Sequence, residues 1–255
     1  TNLFKTMQKI LTLSEENWLA GLCIADDYAG GGGTFVSAPG FDIFREPGWL
    51  QGGFAQSELA TIAVTPQWFR PTIKIEGGVG VAYVYAYGNA KLYKITVIDD
   101  SVSNVTAQIT PGTATTQGFD VGKAFNSSVL NMVYATTTDV RKNVIPPASG
   151  SDASIGTVGN STYHPIHFTG TDKEFYIGDV NEVDAWDGTT YSANVLDLDD
   201  DLTITSFSDD GGKYLVVGAT NNPGGIVAKS RSKVYFWNTW SPSWQREWDI
   251  PDTTI

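Results

Sequence analysis

The sequence predicts an all-β chain assembled from repeated four-stranded units. Composition is the first ground: 27 Gly, 11 Pro and 12% aromatic residues beside only 17% charged ones suit short strands joined by tight turns. Alternation is the second, as in "VAYVYAY", where Val81, Tyr83 and Tyr85 take one face and Ala82, Val84 and Ala86 the other. Spacing is the third. Trp186 in "DAWDG" and Trp237 in "YFWNT" stand 51 residues apart, and so do Ile204 in "DLTIT" and Ile255 in "DTTI".

Each unit opens with a strand, turns into a second rich in aromatic and β-branched residues, adds a third, and closes with a fourth. The first reads "TIKIEGGVGVAYVYAYGNAKLYKI" and is expected to close with "NVTAQITPG". The second runs "GFDVGKAFNSSVLNMVYATTTDVRKNV", crosses the loop "IPPASGSD" and closes near "DASIGTVG". The third, "HPIHFTGTDKEFYIGDVNEVDAWDGTTYSANVLDLDDDL", turns at Gly178 and at Asp187-Gly188. In the fourth, the Gly/Asn/Pro-rich stretch "ATNNPGGIVAKSRS" is a loop insertion between the second and third strands. The expected boundaries are 71–112, 113–160, 161–201 and 202–250.

Residues 1–70 fall outside the period and read as a lead-in with a few strands or an incomplete blade. "KTMQKILTLSEENWLAGL" fits a short helix or the end of a preceding element, "YAGGGGTFVSA" a turn before a strand, and "FDIFREPGWLQGGFAQSELATIAV" two strands around Glu46-Pro47-Gly48. At the other end, "WDIPDTTI" repeats "LDLDDDLTI" at Leu196 to Ile204, one residue shorter. The reading there is a closing strand followed by the first strand of a further blade, so the four visible units are expected to belong to a larger ring.

Four-stranded units in series, each burying one face against the next, describe a β-propeller. "SFSDDGGKYLVVG" at 206–218, followed by "KVYFWN" at 233–238, resembles blades of tryptophan-aspartate-repeat and related propellers, with one extra glycine in the turn and Asn238 where Asp is usual. The phrases "GFDIFREPGWL", "YVYAYGNAKLYKI" and "FYIGDVNEVDAWDGTT" are similar to stretches of propeller-bearing tail proteins of tailed-bacteriophage virions. That resemblance implies a structural protein of the virion, outside the cell, in contact with other virion proteins or a host-surface glycan or protein, and oligomeric within the assembly.

The charge is −12 with 16 Lys and Arg scattered along the chain, which argues against an extended nucleic-acid surface. No apolar run approaches the roughly 20 residues of a membrane helix, so no membrane insertion is expected. The single cysteine, Cys23, lies in apolar "LAGLCIA" and reads as a buried thiol.

Chemistry-bearing residues are few. In "GDVNEVDAWDG", Asp179, Asn181, Asp184 and Asp187 are weak calcium candidates, because Val183 occupies an oxygen-ligand position and no bidentate glutamate follows. The two histidines, His164 and His167, are three apart, which on a strand points them to opposite faces and disfavours a shared metal. "SFSDDGGKY" matches half of the sialidase Asp box, a structural turn, at Ser208, Asp210 and Gly212. Trp240, Trp244 and Trp248 form a possible glycan or partner platform provided the turn at Ser241-Pro242-Ser243 keeps them on one face.

No residue is assigned a catalytic or cofactor-binding role, and no cofactor is expected. The expectation is a non-enzymatic structural or binding propeller of a phage tail, made of rigid blades that hold loops for contact. Its alternative is an extracellular lectin, sialidase-like protein or glycosidase.

Overall fold

In the computed structural model the described residues are 61–99, 101–110, 118–159, 163–211, 213–221 and 231–250, with the backbone of four two-residue strands before them. Two compact units divide the chain, Thr1–Glu58 and Leu59–Ile255. In the first, β1 (Gly21–Leu22) pairs in parallel with β2 (Thr34–Phe35), and β3 (Phe41–Asp42) pairs antiparallel with β4 (Gln51–Gly52). β3 and β4 are the two strands expected around residues 46–48. Cys23, the helical option for 5–20, and residues 251–255 lie outside the described residues.

The second unit carries four four-stranded antiparallel sheets, each ordered along the chain. The first is β5 (Trp68–Glu76), β6 (Val79–Gly88), β7 (Lys91–Thr96) and β8 (Ser101–Asn104). The second is β9 (Gly118–Gly122), β10 (Asn131–Ala135), β11 (Asp139–Val144) and β12 (Ala153–Thr157). The third is β13 (Ile166–Phe168), β14 (Phe175–Asp179), β15 (Glu182–Trp186) and β16 (Tyr191–Asp197). The fourth is β17 (Thr203–Asp209), β18 (Leu215–Thr220), β19 (Ser232–Trp237) and β20 (Arg246–Ile250).

The chain is therefore all-β, with sheets arranged as propeller blades. Their first strands neighbour one another in series, β5 beside β9, β9 beside β13 and β13 beside β17. Side-chain alternation sends successive residues of a middle strand to different neighbours, and three cores result. Tyr83, Tyr85 and Tyr87 of the first blade meet Phe119, Met132 and Tyr134 of the second. Val133 and Ala135 of the second blade meet Ile166, Phe175, Ile177 and Trp186 of the third. Tyr176, Val183 and Ala185 of the third meet Leu215, Val217, Tyr235 and Trp237 of the fourth. Trp186 and Trp237, the pair that revealed the period, both end the third strand of their blade and are both buried.

The closing strand of the first blade differs from expectation. The first blade closes at Ser101–Asn104, and "NVTAQITPG" begins only at the end of that strand. Asn104 Oδ1 accepts the Thr106 N–H at 3.1 Å and the Thr106 hydroxyl at 2.7 Å, a local turn that ends the strand and leads into the 3₁₀ turn Thr106–Gln108. The insertion of the fourth blade is closed at its base, where Asn221 Oδ1 accepts the Arg231 N–H at 2.8 Å. Residues 222–230 of that insertion lie outside the described residues.

The closest approach between the second and third blades is made at a glycine. A Cβ on Gly118, the first residue of β9, would stand 1.7 Å from the carbonyl oxygen of His164, just before β13. Only glycine lets the two backbones approach so closely.

Candidate functional site

In an antiparallel blade the loops joining first to second and third to fourth strands leave at the same end. Those loops here include 123–130, 169–174, 210–214 and 238–245. Between them lies a cleft of about 530 Å³ lined by Phe125, Thr171, Asp172, Lys173, Glu174, Tyr176, Thr239 and Trp240. A smaller cavity of about 60 Å³ adjoins it, sharing Thr171, Asp172, Thr239 and Trp240 and reaching Thr169, Asp209, Lys213 and Tyr214.

The rims of the cleft are two exposed rings, Phe125 at 70% and Trp240 at 87% exposure. Each sits on a loop that is tied down. The Phe125 N–H donates to the Lys173 carbonyl at 2.7 Å, and the next residue, Asn126, donates its side-chain amide to Asp187 Oδ2 at 2.6 Å. Asn238 Oδ1 accepts the N–H groups of Trp240 at 3.2 Å and Ser241 at 3.0 Å, and the buried Trp237 donates Nε1 to the Ser241 carbonyl at 2.7 Å. Asn238 thus holds the turn through its side-chain amide oxygen.

The floor of the cleft is polar. Tyr176, buried against Trp237, directs its hydroxyl at Asp172 Oδ2 (3.1 Å) and Glu174 Oε2 (3.2 Å). Burial raises the Glu174 pKa above the usual carboxylate value, and the charges of Asp172 and Asp187 push the same way. Burial likewise pushes the Tyr176 phenol up. Thr169 Oγ1 is buried and has no hydrogen-bond partner, although its residue lines the smaller cavity.

A second polar feature runs across the blades along their first strands. Arg70 Nε on β5 donates to Asp120 Oδ1 on β9 at 2.8 Å, while Asp120 Oδ2 accepts the Phe168 N–H on β13 at 2.8 Å. His167 on β13 lies 3.8 Å from Asp120 through Nδ1 and 2.9 Å from Asp209 on β17 through Nε2. All four blades are joined by this belt, and its last member, Asp209, faces the smaller cavity.

No family model matches this chain, and no curated protein does. Among solved structures it is similar to the PQQ-bound form of aldose sugar dehydrogenase from Streptomyces coelicolor, with 14% identity and a TM-score of 0.40. The match covers 63% of this chain and 57% of that one, and a likeness of this degree assigns nothing to the cleft.

The residues singled out from sequence fall in separate places. Asp179 Oδ1 accepts the Gly159 N–H at 2.7 Å, and Asn181 donates to Asp197 Oδ1 at 3.0 Å. Asp184 is buried under Tyr191, whose hydroxyl donates to it at 2.5 Å, with the Asn194 N–H at 2.8 Å, and burial raises its pKa. Asp187 caps the Thr189 and Thr190 N–H groups at 2.8 and 2.7 Å. The four calcium candidates thus hold separate turns and strands, and among the described residues no group of three or more His, Cys, Asp or Glu converges on a metal position.

The tryptophans do not form one platform. Trp244 packs on Tyr235, ring centroids 4.9 Å apart, toward the core between the third and fourth blades. Trp248 pairs with Phe236 at 4.7 Å on the opposite face, and Trp240 belongs to the loop end with the cleft. The turn occupies 238–245, so Trp244 precedes β20 and does not share the strand's alternation with Trp248. Of the histidines, His164 is buried with Nδ1 2.8 Å from the Gly178 carbonyl, whereas His167 joins the belt.

Phe125, Asp172, Glu174 and Tyr176 belong to no motif, although a phenylalanine between polar residues in "GKAFNSS" is a usable signal of an exposed ring. The belt leaves no local motif. Arg70, Asp120, His167 and Asp209 are separated by 50, 47 and 42 positions, close to one blade each.

Proposed function

We propose that this chain is a non-enzymatic structural and binding β-propeller of a tailed-phage virion, working by contact with neighbouring virion proteins and the host surface. The virion part of the reading draws on the resemblance of the lead-in and blade phrases. The contact part draws on one observation, the apolar outer faces of the first and last blades. On the first blade, Ile73 and Ile75 are 69% and 68% exposed and share a face with Phe69, Ala82 and Val84. On the last, Trp248 and Ile250 are exposed on the face of Val216, Val234 and Phe236. Within the array, the equivalent faces are the ones buried between blades, so the fitting occupant is another β-sheet of the same assembly.

Immunogold labelling of purified virions with antibody against residues 61–250 tests the location: label on the tail is expected, and particles without label overturn it. Light scattering tests the contact, since Ile73→Asp with Ile75→Asp is expected to reduce association of the purified chain. Unchanged association removes the apolar face from the argument.

The second reading, an extracellular propeller acting on glycans, is favoured by the exposed rings at the cleft. Glycan binding and a virion location are compatible, and cleavage is not proposed.

A further inference from the structure

We propose that the cleft between Phe125 and Trp240 is a binding site for a neutral saccharide, a hexose unit of a host-surface or cell-wall glycan. This rests on the reading of the chain as a protein that works by contact, and it names the ligand class.

The rings supply the first argument. Two large apolar rings from different blades stand exposed at one opening, each held by backbone hydrogen bonds of its loop rather than by packing of the ring. The C–H face of a pyranose is flat and apolar, and it covers such a ring while its hydroxyls remain free to bond at the edge.

Between the rings the polar groups are mainly acceptors. The single hydroxyl proton of Tyr176 is shared between Asp172 Oδ2 and Glu174 Oε2, which leaves lone pairs on both carboxylates for further donors. Sugar hydroxyls are such donors. With one lysine, Lys173, beside these two carboxylates the lining is net negative, which disfavours phosphate and acidic sugars and leaves a neutral ligand.

The 530 Å³ cleft lies in the range of small-molecule sites, about 300–1,000 Å³.

Saturation-transfer NMR on the full chain, with neutral tetrasaccharides of glucose, galactose and mannose as probes and sialylated and sulfated oligosaccharides as controls, decides the matter. Saturation of at least one neutral probe is expected. Trp240→Ala and Phe125→Ala each weaken it about tenfold or more, Trp240→Phe retains most of it, and Trp248→Ala leaves it unchanged. Because both rings are exposed, the two alanine variants keep the parent melting temperature. No saturation by any neutral probe overturns the proposal, as do preference for the acidic probes or binding indifferent to Trp240→Ala. Tail labelling without saccharide binding sinks the cleft alone, and saccharide binding with unlabelled virions sinks the virion location alone.

Discussion

His167 Nε2 lies 2.9 Å from Asp209 Oδ2, joining the first strand of the third blade to that of the fourth. The same histidine sits beside Asp120, which holds Arg70 of the first blade. Blades in a propeller bury apolar faces against one another, and apolar burial is non-directional. Directional contacts such as this belt set how one blade is placed along the next.

Asp209 makes the stability of that contact pH-dependent. The hydrogen bond from His167 holds its carboxyl below the ordinary value, with burial opposing and the Gly211 N–H assisting. A lowered folded-state pKa means a stabilisation fully present above the unfolded-state pKa, about 3.9, and lost as pH falls through the lowered value. The stability difference between the parent and Asp209→Asn is therefore expected at pH 6 and should shrink below about pH 4. Urea unfolding at both pH values checks it, and an equal difference at pH 2 and pH 6 refutes the coupling.

Asp120 is the belt's most connected member, and Asp120→Ala removes the acceptor for Arg70 and for the Phe168 N–H together. Arg70 is partly solvated, which limits the penalty, so the expected loss is about 1–3 kcal/mol, or about 2–4 °C in Tm for each kcal/mol at this domain size. Arg70→Met leaves Asp120 bonded to Phe168 and is expected to cost less. Calorimetry showing the reverse order would place the anchor at Arg70.

Gly118→Ala tests the spacing of the second and third blades. The new Cβ meets the His164 backbone oxygen at 1.7 Å, and no side-chain rotation relieves it. The expected cost is about 3 kcal/mol or more. Gly80→Ala is the control, because its Cβ would stand an ordinary 3.5 Å from Ile73 Cγ2, and it is expected to stay within about 0.5 kcal/mol. Similar denaturation midpoints for the two variants would contradict the close approach.

How far the sequence was readable depends on what each strand touches. β6 alternates small and aromatic residues, so "VAYVYAY" announced its faces, and Trp186 and Trp237 announced the repeat because both fill the same packing position. β10, "NMVYA", is buried on both faces between two blades, which erases polar alternation along it. The three tryptophans separate because side-chain parity survives only within a strand, and the turn at 238–245 interrupts it. The cleft and the belt were the least legible parts. Their members come from different blades, and nothing in a linear pattern marks residues brought together one blade-length apart.

Trp186 and Trp237 share a packing position, yet they differ in what their indoles hold. Trp186 packs on Phe175 at 5.7 Å beneath Lys142, whose Nζ is 5.0 Å from the ring, whereas Trp237 donates Nε1 to Ser241 in the Trp240 turn. Replacing either by alanine is expected to cost about 3–5 kcal/mol, as for other fully buried aromatics. Phenylalanine separates them, because it keeps the apolar ring and removes the donor. Trp237→Phe is expected to speed amide hydrogen exchange in 238–245, since the Ser241 carbonyl loses its tie, while Trp186→Phe leaves that loop unchanged. If Trp237→Phe leaves exchange there at the parent rate, the turn is held by the side chains of Asn238 and Gln245, and Trp237 acts only through packing.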